Sequence, residues 1–104
     1  MRVLIKEPGG SWEVAEVENA LEALQQAVGG YIETLPVVAV DSNEKAVMVM
    51  DEEGQLKGKE HNITICGHDI VGTVLLCGQD GDEFTDVPDW LARGLTYHEK
   101  ESAR

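Results

Sequence analysis

Four side chains with metal-type donors fall close together in the second half of the chain. They are His61, Cys66, His68 and Cys77, spaced H-x4-C-x-H-x8-C. Thiolate and imidazole are the donors that zinc takes. The paired half-sites of zinc modules are missing, however, and Cys77 closes an apolar run where cysteine behaves as a small buried hydrophobe. No metal is expected. Cys66 and His68 stand two residues apart, which puts both on one face of an extended chain, a thiol beside a base. No oxyanion loop or orienting residue completes the set, so a Cys/His hydrolase is the last of the readings and the chain is expected not to be an enzyme. Asp80, Asp82, Glu83 and Asp86 offer oxygen ligands without the twelve-residue calcium loop, and read as a solvated turn. Gly9-Gly10 and Gly29-Gly30 are not phosphate loops; the second pair follows a helix instead of preceding one. No cofactor is expected.

Composition narrows the classes further. The chain has 104 residues, of which 42% are apolar and 27% charged, an ordinary mixture for one globular domain. Twenty carboxylates against eight basic side chains give a formal charge of −12. Nucleic-acid binding needs clustered Lys and Arg, so direct contact with DNA or RNA is not expected, and an anionic membrane is disfavoured for the same reason. Met1-Arg2-Val3-Leu4-Ile5-Lys6 does not resemble a signal peptide, and no apolar run is long enough to span a bilayer. The expectation is a cytoplasmic protein with reduced thiols.

The positioning elements follow from periodicity. Residues 2–6 and 12–17 flank a Pro-Gly-Gly turn and predict an opening hairpin. Ala20, Leu21, Leu24, Ala27 and Val28 fall at helical spacing and predict a helix over 19–28. Asn19 would be its N-cap, Glu22 would complete a capping box, and Gly29-Gly30 would stop it. A strand follows from Tyr31 to Leu35, ended or bent at Pro36, with 37–40 as its continuation and 41–45 as a turn. Residues 46–50 are continuously apolar, as in a central strand. Residues 55–69 read as a loop with a short strand. Residues 70–77 read as one buried strand whose internal Gly72 marks a bulge or a close approach. An acidic loop over 79–86 leads to a short helix from Pro88 to Leu95, capped by Asp86 or Asp89. Residues 1–98 would form one domain and 99–104 a frayed tail. The fold class is α+β: a mainly antiparallel sheet of four to six strands on one main helix, with a short C-terminal helix.

Several segments together resemble one family. They are Val3-Leu4-Ile5 with Glu7-Pro8-Gly9, Leu24-Gln25 with Val28-Gly29-Gly30-Tyr31-Ile32-Glu33, Glu52-Glu53-Gly54-Gln55-Leu56-Lys57-Gly58, the lone Asn62, and Ile70-Val71-Gly72-Thr73. The chain is similar to a small domain-of-unknown-function family of phages, plasmids and conjugative elements, marked by LQxxVGGYIE and NEEGKLxG. It departs from the pattern at Asp51, where the family has Asn, and around Glu60-His61-Asn62-Ile63. The resemblance carries no catalytic residues. It implies a mobile-element accessory protein inside a bacterial cell, and it singles out Tyr31, Glu33, Lys57 and Asn62 as ligand-binding candidates. The expected function is to neutralise a host factor by binding, in host-defence antagonism. One version sequesters a small signalling nucleotide, helped by backbone N–H groups or by the interface of a homo-oligomer. The alternative is an acidic protein–protein inhibitor that imitates nucleic acid on a host enzyme.

Overall fold

The computed structural model describes residues 1–37, 45–65 and 67–102, with side chains described through Thr96. Eight strands and two helices follow one another along the described residues. In order they are β1 (Arg2–Lys6), β2 (Glu13–Glu16), α1 (Leu21–Val28), β3 (Ile32–Val37), β4 (Lys45–Asp51), β5 (His61–Ile65), β6 (His68–Val71), β7 (Val74–Asp80), β8 (Glu83–Thr85) and α2 (Asp89–Ser102). The main sheet is antiparallel in the order β2-β1-β7-β4-β3, and β8 pairs with β7. β5 and β6 form a separate hairpin.

The α+β class holds, with more strand than the sequence pattern predicts. The sheet is the middle of three layers. Val3, Val47, Val49, Leu75 and Cys77 point to one face, where Leu24 and Val28 of α1 cover them. Leu4, Met48, Met50, Val74 and Leu76 point to the other. There the β5–β6 hairpin (Ile63, Ile65, Ile70) and α2 (Leu91, Ala92, Leu95) complete a second core with Trp12 and Val87. β4 is apolar at consecutive positions because both of its faces are buried. β3 and β2 are the edges, and β3 carries Glu33 and Pro36, which discourage further pairing.

Five expectations need correction. α1 begins at Leu21 with Ala20 at the N-cap in extended conformation and no side-chain cap; the Asn19 amide instead donates to the Phe84 carbonyl at 2.9 Å. Leu21 falls off the buried stripe and is exposed. The presumed single strand 70–77 is two strands in two sheets, separated at Gly72, whose φ of +74° turns the chain. The acidic loop at 79–86 is the β7–β8 hairpin, whereas the short strand expected within 55–69 is present as β5. α2 runs past Leu95 to Ser102, and neither aspartate caps it as expected: Asp86 accepts the Arg2 backbone N–H, and Asp89 stands inside α2 paired with the Arg2 guanidinium. The opening hairpin and the Gly29 stop agree with expectation; Gly29 sits at φ +82°, and both Gly29 and Gly30 donate to the Gln25 carbonyl. The turn predicted at 41–45, apart from Lys45, and the strand continuation at 38–40 lie outside the described residues, as do Cys66 and residues 103–104.

Candidate functional site

The site is built where the end of α1 meets the turn after β4. β4 delivers Asp51 at its last position, pairing with Ile32 of β3. The next residues wind into one helical turn, with the Lys57 N–H bonded to the Glu53 carbonyl at 3.0 Å. That turn brings Lys57 and Lys59 back over Asp51. The Lys57 Nζ lies 2.9 Å and the Lys59 Nζ 2.7 Å from Asp51 Oδ2, while the Glu53 backbone N–H donates to Oδ1 at 2.9 Å. The Lys59 ammonium holds the Asp51 carboxyl well below the usual carboxylate range. Burial opposes it, and Lys57 and the Glu53 N–H add to the lowering.

The same lysines serve the helix. Lys59 donates to the Val28 carbonyl at 2.7 Å and Lys57 to the Gly29 carbonyl at 3.1 Å, placing two cations on the negative end of α1. A Cβ on Gly30 would stand 2.6 Å from both Asp51 Oδ1 and Lys57 Nζ. The glycine pair thus stops α1 and also lets the buried ion pairs close against it.

The four candidates separate. Tyr31 is 67% exposed and shares a depression of about 240 Å³ with Gln25, Gly30, Glu53 and Lys57. Glu33 lies in a different cleft, of about 220 Å³, between β3–β4 and β6, with Met50, Glu52, Gln55, Asp69, Ile70 and Val71. Asn62 belongs to neither. Its amide donates to the Lys6 and Gly72 carbonyls at 2.8 and 2.7 Å, and its oxygen accepts Lys6 Nζ at 2.9 Å. It is buried and fully used in fixing the β5–β6 hairpin to β1. A larger cavity, about 580 Å³, lies beside the β7–β8 hairpin against Lys45, Gln79, Asp80, Thr85 and Asp86, and holds none of the four candidates.

Asp51, Lys59, Glu52 and Asp69 are the residues that sequence reasoning passed over. The only signal for Asp51 was its departure from the family's Asn. The zinc spacing does not assemble: Cys77 is buried in the α1-side core, whereas β5–β6 packs on the opposite face. Burial pushes the Cys77 thiol up to about 11, which keeps it protonated and unreactive at neutral pH. His61 Nε2 is 2.9 Å from the Thr64 hydroxyl, which donates to Asp69 at 2.7 Å. The Thr proton is directed to the carboxylate instead of the imidazole, the wrong order for an activated nucleophile.

The chain matches the family described as a domain of unknown function (DUF3846) over residues 1–100, and it belongs to that family. No curated protein and no solved structure matches it.

Proposed function

We propose that this member of the family acts without catalysis, as a mobile-element accessory protein that lays its acidic surface on a basic host protein. The state of the lysines carries the reading. Lys57, which shares the Tyr31 depression, and Lys59 are engaged by Asp51 and by the carbonyls of Gly29 and Val28. A phosphate there would have to compete with those contacts for the Lys57 and Lys59 ammonium groups. The Tyr31 depression, about 240 Å³, is also smaller than the ~300–1,000 Å³ of a typical small-molecule pocket. Carboxylates outnumber basic side chains by 20 to 8, and complementary charge is what steers a basic partner to such a surface.

Nucleotide sequestration is the second reading, favoured by Tyr31 and Lys57 sharing one depression. Native mass spectrometry of the chain incubated in bacterial lysate separates the two. The expected result is a protein adduct that dissociates as salt is raised past the point where the Debye length falls below ~10 Å. A retained small-molecule mass would move the assignment to sequestration. A salt-insensitive adduct, or none, would overturn the acidic-surface reading.

A further inference from the structure

β5 carries a bulge, and the bulge decides which side chains meet on the outer face of the hairpin. The register slips between His61 and Ile63, so Asn62 and Ile63 both turn inward while His61 and Thr64 are both exposed. Thr64 stands opposite Asp69 of β6. The Thr64 hydroxyl donates to Asp69 Oδ1 at 2.7 Å. His61 Nε2 lies 2.9 Å from that hydroxyl oxygen and 3.7 Å from Asp69 Oδ1. An ionised carboxylate only accepts, and a hydroxyl has one proton, which here goes to Asp69. Nε2 must then carry the hydrogen that joins the imidazole to Thr64, which leaves Nδ1 as the atom that gains or loses a proton.

The charges around this chain of groups are mainly acidic. Among the described residues, Asp69 is the acid within 4 Å of the imidazole. Glu60 precedes His61, and Glu33 of β3 and Glu52 of the turn after β4 border the same cleft as Asp69. The nearby cations are committed elsewhere: Lys6 of β1 to Asn62 Oδ1, and Lys59 to Asp51. His68 stands at the turn end of the hairpin, opposite Ile65. β6 also supports the turn after β4. Gln55 Nε2 donates to the Asp69 carbonyl at 3.2 Å, and Gly54 lies so close to Val71 that an added Cβ would stand 2.9 Å from Val71 Cγ2. We infer that His61, Thr64 and Asp69 form a proton-operated clasp. A proton on Nδ1 puts a full positive charge at one end of the His61–Thr64–Asp69 chain and draws β5 onto β6; its loss loosens the hairpin and the turn resting on it. The clasp is closed while the imidazole is charged and Asp69 ionised. It opens as pH rises through the range in which histidine gives up its proton, about pH 5 to 8. No partner enters this inference, so it stands apart from the acidic-surface reading.

Amide hydrogen exchange of the whole chain at about pH 5.5 and about pH 8 tests it, each rate divided by the intrinsic rate at that pH. The His61 and Asp69 side chains are 55% and 67% exposed, so the clasp has the modest strength of an exposed ion pair. Opening of β5 and β6 should therefore be about 1.5- to 5-fold greater at the higher pH. The Lys57 N–H, bonded within the turn to the Glu53 carbonyl, should follow in the same direction. Amides of β4 and β7, held by their own ladder, report global unfolding and should not change by that factor. His61→Gln keeps a donor for Thr64 but cannot titrate in this range, and should abolish the pH difference. Asp69→Asn keeps an oxygen for the Thr64 hydroxyl without the charge, and should abolish it as well. His68→Gln removes the other histidine of the hairpin and should leave the difference intact. A pH difference that persists in His61→Gln or Asp69→Asn, that disappears in His68→Gln, or that β4 and β7 share in full would overturn the clasp. So would hairpin protection that is the same at both pH values. A Lys57 N–H that ignores pH while the hairpin responds would overturn the clasp's reach to the turn.

Discussion

Asp51 holds two ammonium groups and a backbone N–H on a carboxylate that is 1% exposed, with Lys57 and Lys59 41% and 24% exposed. Its folded-state acidity is strengthened, so its contribution to stability is fully present above the ordinary carboxylate value of about 3.9 and is lost as pH falls through and below it. Asp51→Asn keeps an oxygen for the Glu53 N–H but withdraws the charge from both lysines. The partly exposed lysines can turn to water, so the expected loss near neutral pH is about 2–3 kcal/mol, the lower range for breaking a buried charged contact. Urea midpoints should show this gap at about pH 7 and a narrower one at about pH 3, because acid removes the wild-type advantage. An undiminished gap at low pH would mean that Asp51 acts through shape instead of charge. Gly30→Ala attacks the same network sterically. Its Cβ would sit 2.6 Å from an oxygen and a nitrogen already committed to each other, and overpacking of this kind costs about 1–3 kcal/mol. Gly58→Ala, where an added Cβ meets nothing within 4 Å, should show only the strain of its positive φ, about 1 kcal/mol. Unfolding midpoints of the two variants, measured together, separate crowding from backbone strain.

At the scale of elements, the β5–β6 hairpin makes no ladder with the main sheet among the described residues and depends on side chains to stay on it. Asn62 supplies the polar half of that attachment, through Lys6 and Gly72, and Ile63, Ile65 and Ile70 supply the apolar half. Asn62→Leu would strand the buried Gly72 carbonyl and remove a partner from the half-buried Lys6 carbonyl and ammonium, an expected loss of about 2–3 kcal/mol. Hydrogen exchange should rise first in 61–71 while β4 and β7 keep their protection; uniform loss would mean that the hairpin is not a separate unit. The same element explains what was legible beforehand. β4 and α1 could be read because one period persists through each. β5 could be read only as a short strand without bounds: a register shift between His61 and Ile63 turns Asn62 and Ile63 both toward the protein, and a buried polar residue breaks the alternation. Gly72 was seen as a mark of close backbone approach, yet its role in splitting two strands between two sheets depends on a neighbour, since a Cβ there would meet the Lys59 side chain at 2.7 Å. At the candidate site, the glycine pair and Lys57 were legible as a motif. Their link to Asp51 was not, because a contact between residues 30, 51, 57 and 59 exists only after the turn closes.

For the molecule as a whole, the formal charge of −12 is spread over a three-layered body whose core is apolar on both sides of one sheet. Exposed carboxylates repel one another over distances comparable to the Debye length, about 10 Å at 0.1 M salt and about 3 Å at 1 M. The Asp51 ion pairs, by contrast, are at 2.7 and 2.9 Å around a buried carboxylate, where salt screens little. Salt should therefore remove more repulsion than attraction, and the protein should become more stable as sodium chloride rises from about 0.02 to about 0.5 M. A gain near 1 kcal/mol would raise the thermal midpoint by roughly 4–8 °C in a domain of this size. Sodium chloride is the salt to use, since sulfate would add an exclusion effect that stabilises any folded protein. The Glu33→Gln, Glu52→Gln double variant reduces the formal charge from −12 to about −10, so it should start from a higher midpoint at low salt and gain less on its addition. If the midpoint instead falls with salt, attractive pairs outweigh the repulsion. The surface would then already be internally compensated, and the long-range pull that the proposed basic partner requires would be lost with it.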